Sequence, residues 1–270
     1  MDETRRKSHI SEKRRNIYKS KSQKKLSKLE LIIILILLII LIYSASRLFT
    51  WIYDNYSANN LKNELSQYID TTSNNHTDNK DNINTLSVDF ESLEKINKDV
   101  VGWIKVNNTD INYPVVKYKD NEYYLNRDFK NFKNSSGAIF LDYKNDINNL
   151  SKNNVIYGHN RLDNSMFGSL KKILNKNWYE NENNKIIYIY TKNSILSWQV
   201  FSVYKIPNET YYITTSFKNN EFLEFLKTIK ERSIYDFGID VNIYDNILTL
   251  STCYGYNDSQ RVVLHAKLIK

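Results

Sequence analysis

Asn246-Ile-Leu-Thr-Leu-Ser-Thr-Cys-Tyr-Gly-Tyr-Asn-Asp-Ser-Gln-Arg-Val-Val-Leu-His-Ala-Lys-Leu-Ile269 holds two apolar, β-branched runs on either side of a stretch of polar and turn residues. Such runs read as strands, and the loop of residues 254–260 makes them a hairpin. Side chains alternate along a strand, so Thr249, Ser251 and Cys253 share one face, and Arg261, Val263, His265 and Lys267 share a face of the second strand. A hairpin sets Cys253 and Arg261 across from each other at its mouth. A guanidinium there lowers the pKa of a thiol and can stabilise an oxyanion on an attacked carbonyl. Cys253 is the only cysteine of the 270 residues.

Working outward, strand patterns recur at residues 197–204, 185–190, 154–157, 138–141, 111–116 and 103–106. With the hairpin they make eight, a number typical of a closed or nearly closed antiparallel barrel. Around residues 219–232, Phe222, Phe225, Leu226 and Ile229 fall at helical spacing and predict one helix just before the cysteine strand. Asp89 is placed to cap a short helix in which Phe90, Leu93 and Ile96 recur every three residues. Residues 54–70 have a weaker helical pattern at Leu61, Leu65 and Tyr68, and residues 71–84 are a polar spacer without periodicity.

Leu31-Ile-Ile-Ile-Leu-Ile-Leu-Leu-Ile-Ile-Leu-Ile-Tyr43 decides where this barrel works. A helix needs about 20 residues to cross a bilayer core, and residues 31–50 supply them if Arg47 snorkels to the outer surface. Phe49, Trp51 and Tyr53 then form an interfacial aromatic belt. Residues 1–30 hold eleven Lys/Arg against four Asp/Glu, which puts the N-terminus in the cytoplasm and everything after Tyr53 outside. Of the net charge of +8, only +1 belongs to residues 31–270, so the basic balance describes a tail and gives no support for nucleic-acid binding. Ser44-Ala45-Ser46 also offers a small-x-small cleavage site, and either reading, signal-anchor or cleaved leader, exports the rest. An exported chain with one cysteine has no internal disulfide, so the 217 residues after Tyr53 rely on a hydrophobic core. The organisation expected is therefore a basic tail (1–30), a membrane anchor (31–53), a helical and polar spacer (54–88) and a catalytic domain (89–270).

A cysteine nucleophile needs an acid/base, and four histidines are available. His9 falls in the cytoplasmic tail and His76 in the polar spacer. His265 lies four residues beyond Arg261, about 13 Å along the strand at ~3.3 Å per residue, and reads as structural. His159 ends the run Asn153-Asn-Val-Ile-Tyr-Gly158, where Gly158 gives the backbone freedom to turn, and spacing favours it as the catalytic histidine. No Cys/His cluster has zinc spacing, no glycine-rich phosphate loop occurs, and no G-x-S-x-G elbow surrounds Ser251.

These residues resemble the sortases, membrane-anchored cysteine transpeptidases of Gram-positive bacteria. Thr249-Leu-Ser-Thr-Cys253 is similar to the family's T-L-x-T-C motif, Arg261 stands where the family has its essential arginine, and Tyr157-Gly-His159-Asn160 resembles the segment that carries its histidine. Asp99-Val-Val-Gly-Trp-Ile104, Thr109-Asp-Ile-Asn-Tyr-Pro-Val-Val116, Asp120-Asn-Glu-Tyr-Tyr-Leu125, Ser165-Met-Phe-Gly168 and His265-Ala-Lys-Leu-Ile269 resemble class B in particular. The likeness covers about residues 89–270. It implies a mainly β, eight-stranded sortase-like barrel with N-terminal helices and no cofactor or metal. It also implies a two-step acyl transfer in which Cys253 attacks a sorting signal after its threonine, His159 serves as acid and base, and Arg261 holds the oxyanion. The partners implied are exported proteins bearing the signal and an amine of the peptidoglycan precursor. A pilin-polymerising sortase, which uses a protein lysine, and a non-catalytic membrane-tethered module remain as alternatives. Asn121, Leu125, Tyr157, Ser251 and Thr252 stand at positions similar to the family's signal-binding groove. One departure is that no acidic residue directly follows Cys253 and the loop to Arg261 is short, which leaves the signal's identity open.

Overall fold

The computed structural model describes residues 26–71, 86–207, 209–218, 220–253 and 260–269. His9, most of the basic tail, the polar spacer with His76, and residues 254–259 of the Cys-to-Arg loop lie outside the described residues. The chain divides into two compact units, residues 1–50 and 51–270.

Helix α1 (Lys28–Leu65) opens with a reciprocal cap: Ser27 N–H donates to Glu30 Oε2 at 2.7 Å, and Glu30 N–H donates to Ser27 Oγ at 3.1 Å. Residues 31–50 are exposed along its whole circumference and almost wholly apolar, a surface that lipid solvates and water does not. Among the described residues this is the one helix long and apolar enough to cross a membrane. The weak helical pattern after residue 54 is no separate element. It continues α1, because no glycine or proline interrupts residues 28–65.

Within the second unit, the end of α1 is part of the folded body. Asp54, Ala58 and Leu65 are buried. Leu65 packs with Leu86, Phe90 and Leu93 against Trp103, Val116, Phe140 and Tyr157. β1 (Ile69–Thr71) pairs antiparallel with β2 (Leu86–Val88), and α2 (Phe90–Ile96) follows with its first turn capped by Asp89, whose Oδ1 accepts from Ser92 N–H at 3.0 Å. Packing therefore begins well before the boundary expected at residue 89.

The remaining strands are β3 (Val100–Val106), β4 (Asn112–Val116), β5 (Ile139–Leu141), β6 (Asn153–His159), β7 (Ile186–Tyr190), β8 (Ile195–Pro207), β9 (Ile247–Cys253) and β10 (Gln260–Leu268). They close into a barrel of order β10-β8-β7-β3-β4-β5-β6-β9. The expected count of eight matches, but the sheet is mixed where an antiparallel one was expected. β4 runs parallel to β5 and β6 runs parallel to β9. Each parallel pair is joined by a long crossover, residues 117–138 and 160–246, which a strand-by-strand reading of periodicity does not reveal.

Alternation sorts the side chains between two environments. Ile104, Ile156, Leu248, Leu250, Leu264 and Ala266 fill the interior. On the outer face, Phe201, Tyr204, Ile247 and Val263 are covered by α4 (Glu221–Glu231; α3 is the short turn Lys176–Tyr179), which buries Phe222, Phe225, Leu226 and Ile229. Each such fully buried side chain is worth about 1.5–3 kcal/mol relative to exposure. The strand that ends at Cys253 is thus held on both faces.

Candidate active site

The parallel ladder between β6 and β9 runs Tyr157↔Ser251, Gly158↔Thr252, His159↔Cys253. On the other side of β9 the antiparallel ladder with β10 runs from Lys267↔Ile247 to Val263↔Ser251, two residues short of Cys253 and Arg261. The β6–β9 ladder therefore sets His159 and Cys253 in one rank at one end of the barrel, and Arg261 stands on β10 two residues beyond the last β9–β10 pair. Val262 N–H donates to Thr252 Oγ1 at 3.0 Å and ties β10 to β9 one residue short of that rank. Arg261 is half-buried.

His159 is partly buried, and its Nε2 lies 2.6 Å from the carbonyl oxygen of Leu125. A carbonyl oxygen only accepts, so Nε2 carries the proton and the lone pair of the neutral ring sits on Nδ1. Desolvation and, secondarily, the Arg161 guanidinium hold the imidazole below the usual histidine range, while the bond to Leu125 opposes them. The result is a neutral imidazole near pH 7, with Nδ1 able to take a proton.

The wall behind this ring is built from close contacts. Gly137 has φ +62°, and a Cβ there would stand 2.7 Å from Tyr124 O, 2.8 Å from His159 Cδ2 and 2.9 Å from Leu125 O. Only glycine allows both the left-handed backbone and the approach of the ring. Gly158 corrects the sequence reading. Its φ is not positive, and its role is space: a Cβ would meet Ile139 Cδ1 at 2.5 Å and Phe167 Cγ at 2.6 Å. The turn that carries Gly137 is fixed to α1, where Asp54 Oδ2 accepts from Ser135 N–H at 3.1 Å and Ser135 Oγ at 2.6 Å. After His159 the chain folds back, with Phe167 N–H donating to His159 O at 3.0 Å.

The other expected site residues divide into two groups. Asn121 and Tyr157 converge on a buried carboxylate: Asn121 Nδ2 donates to Asp142 Oδ2 at 2.8 Å and Tyr157 OH donates to the same oxygen at 2.9 Å. Leu125 offers His159 its carbonyl oxygen. Ser251 and Thr252 are buried; Ser251 Oγ lies 3.0 Å from Tyr212 OH, and Thr252 Oγ1 accepts from β10. Gly137 and Asp142 were missed. Gly137 could have been found from the turn-forming run Asn134-Ser-Ser-Gly137, whereas nothing local in the sequence marks Asp142.

His265 is fully buried and both its nitrogens are engaged, Nε2 with Tyr204 OH at 2.8 Å and Nδ1 with Thr249 Oγ1 at 2.9 Å. Thr249 Oγ1 donates to Asn153 Oδ1 at 2.6 Å, so it accepts from His265 Nδ1–H and leaves Nε2 to accept from Tyr204. Among the described residues no group of three or more His, Cys, Asp or Glu could hold a metal ion.

The Sortase domain family model matches residues 104–269. The chain is similar to Sortase B of Staphylococcus aureus, with 44% identity over 184 residues that make up 67% of this chain and 75% of that protein. It is similar to Sortase B of Listeria monocytogenes with 38% identity over 186 residues, 67% of this chain and 74% of that protein. Among solved structures, a Staphylococcus aureus sortase B–substrate complex matches with a TM-score of 0.63 and 43% identity, covering 67% of this chain and 84% of the other. Sortase B from B. anthracis in complex with AAEK1 matches with a TM-score of 0.68 and 36% identity, covering 81% and 99%.

Proposed function

This chain belongs to the class B sortases, which are cysteine transpeptidases, and on that premise we propose that Cys253, His159 and Arg261 carry out the transfer, joining a sorting signal to an amine of the peptidoglycan precursor. The observation that carries the assignment is the β6–β9 ladder, which pairs His159 with Cys253; the β9–β10 register, continued two residues past Val263↔Ser251, would set Arg261 opposite Cys253.

The Cys253 thiol gives its proton to His159 Nδ1 as sulfur bonds to the carbonyl carbon after the signal's threonine. The carbonyl π electrons move to oxygen, and the Arg261 guanidinium balances that charge. The oxyanion collapses, the C–N bond breaks, and the departing amine takes the proton from Nδ1, which leaves a thioester on Cys253. The acceptor amine attacks next. Its proton passes to Nδ1 while the C–S bond breaks, and the sulfur recovers the proton. Leu125 O keeps Nε2–H bonded throughout, so a single nitrogen handles both proton transfers.

Of the expected groove residues, the partly exposed Asn121 and Leu125 would face the signal, while the buried Tyr157, Ser251 and Thr252 would support the groove from behind. Residues 31–53 would anchor the enzyme, with the basic tail inside the cell and the folded body outside facing the wall; that body begins before residue 89, since Asp54, Ala58 and Leu65 are already buried. The exposed positions at 31–46, which carry no charged residue before Arg47, support the anchor. A pilin-polymerising enzyme would share all of this and differ only in a protein lysine as the amine.

The test uses the full chain in detergent micelles with a panel of fluorescence-quenched peptides that carry an internal threonine. Wild type is expected to form a mass adduct on Cys253 that an oligoglycine or diaminopimelate-type amine discharges. Cys253→Ala should form none, and cleavage that persists in this variant would refute the assignment.

A further inference from the structure

We propose that Asp142 is a positioning residue for His159, clamping together the two parts of the chain that hold the imidazole in its Nε2–H form; this rests on the reading of His159 as the acid/base. Asp142 directly follows β5 and is 4% exposed. Its Oδ2 accepts from Tyr157 OH at 2.9 Å and Asn121 Nδ2 at 2.8 Å, and its Oδ1 accepts from Lys144 N–H at 2.9 Å.

The two bonds to Oδ2 come from different arms. Tyr157 belongs to β6, two residues before His159, on the same face by alternation. Asn121 begins the segment that ends at Leu125. Asp120 Oδ1 accepts from Glu122 N–H at 2.9 Å and Tyr123 N–H at 2.8 Å, and Leu125 N–H donates to Glu122 O at 3.1 Å, so the turn from 121 to 125 is stiff. Asn121 Oδ1 also accepts from Tyr143 N–H at 3.0 Å, which locks the segment to the residue after Asp142. One carboxylate oxygen thus fixes the strand bearing the imidazole relative to the carbonyl that orients it.

A carboxylate is needed because one oxygen must accept two donors in a buried place, while the other accepts a third. The amide of Asn cannot reproduce this without losing an acceptor site. The Leu125 side of the clamp has a second support, since Ala138 N–H donates to Tyr124 O at 3.0 Å and Tyr124 OH donates to Asp99 Oδ2 at 2.7 Å. Loss of Asp142 therefore loosens the ring without freeing it. On this account Asn121 and Tyr157 act on the histidine through Asp142, in addition to any contact with the signal.

The experiment measures full-chain enzyme in micelles with the peptide that wild type turns over best. Asp142→Asn keeps volume and should lower kcat by about tenfold, within the range that misplacement of a catalytic group costs, while KM stays within about twofold. Tyr157→Phe should lower kcat in the same direction, and the double variant should be no worse than Asp142→Asn alone, because both cut one clamp. In Cys253→Ala protein labelled with ¹⁵N-histidine, His159 should read as a single Nε2–H tautomer, and Asp142→Asn should give a mixture. Unchanged kcat, a rise in KM alone, additive losses, or an unchanged tautomer would each overturn the proposal. If Asp142→Asn does not fold, the Tyr157→Phe tautomer spectrum decides by the same criterion. His159→Gln is run alongside: full activity there overturns the acid/base reading itself, whereas its inactivity beside a wild-type Asp142→Asn overturns the clamp alone.

Discussion

His159 and His265 lie on the two strands that flank β9, and they are built in opposite ways. His159 is partly exposed, uses one nitrogen on a backbone carbonyl, and carries its proton on Nε2. His265 is sealed under α4, uses both nitrogens, and carries its proton on Nδ1. Burial pushes His265 down to about 3, far from any working pH, while His159 is lowered with its cause shared between desolvation and Arg161. The difference teaches what separates a proton carrier from a core histidine. Among the described residues the carrier has a partner on one nitrogen only and stays titratable, whereas the core histidine commits both and gives up its charge.

The comparison breaks most sharply at His159 itself. His159→Gln should lower kcat/KM by about 10²–10⁴, the range for removing a general acid/base, with thermal unfolding little changed. His265→Leu should do the reverse: unfolding free energy falls by about 2–6 kcal/mol, because Tyr204 and Thr249 each lose a buried partner at about 1–3 kcal/mol, while the folded fraction keeps its turnover. Urea titration beside peptide kinetics separates the two effects.

Gly137→Ala should act on both properties at smaller size. The left-handed backbone and the 2.8 Å approach to His159 Cδ2 predict a stability loss of about 1–3 kcal/mol together with a lower kcat, read from the same two assays. A wild-type kcat would mean that the wall behind the ring can give way without moving it.

Acid tests the same contrast without a substitution. His265 has a folded-state pKa of about 3 against 6.5 unperturbed, so the unfolded chain binds the proton first. Its contribution is fully present above about pH 6.5 and falls by about 1.4 kcal/mol per pH unit below it, until the folded-state pKa is reached. Urea midpoints between pH 4 and 7 should show this slope in wild type, and His265→Gln should flatten it.

Much of the barrel is written in local periodicity, since strand residues alternate and β-branched side chains dominate. Each of the eight strands was found within a few residues, and so were the Asp89 cap and the apolar stripe of α4. What local pattern cannot carry is pairing between distant segments. The parallel union of β6 with β9 joins residues about 90 positions apart, so the rank of His159 with Cys253 was reached by eliminating other histidines and through a family resemblance. Asp142 and Gly137 stayed hidden for the same reason. Their partners, Asn121, Tyr157, Leu125 and His159, come from other segments of the chain. The end of α1 also looked like a linker, because its buried positions Asp54, Ala58 and Leu65 are too sparse to register as a stripe.

The most direct test of the central claim is the pH dependence of Cys253 acylation, followed by stopped-flow release from a quenched peptide in wild type, His159→Gln and His265→Gln. His159 must be neutral to take the thiol proton, so acylation should hold above its lowered pKa and fall as pH drops through it. The account predicts that this acid limb lies below pH 6.5 in wild type, persists in the folded fraction of His265→Gln, and disappears with most of the rate in His159→Gln. An acid limb that survives in His159→Gln at wild-type rate, or that vanishes in His265→Gln, would contradict it.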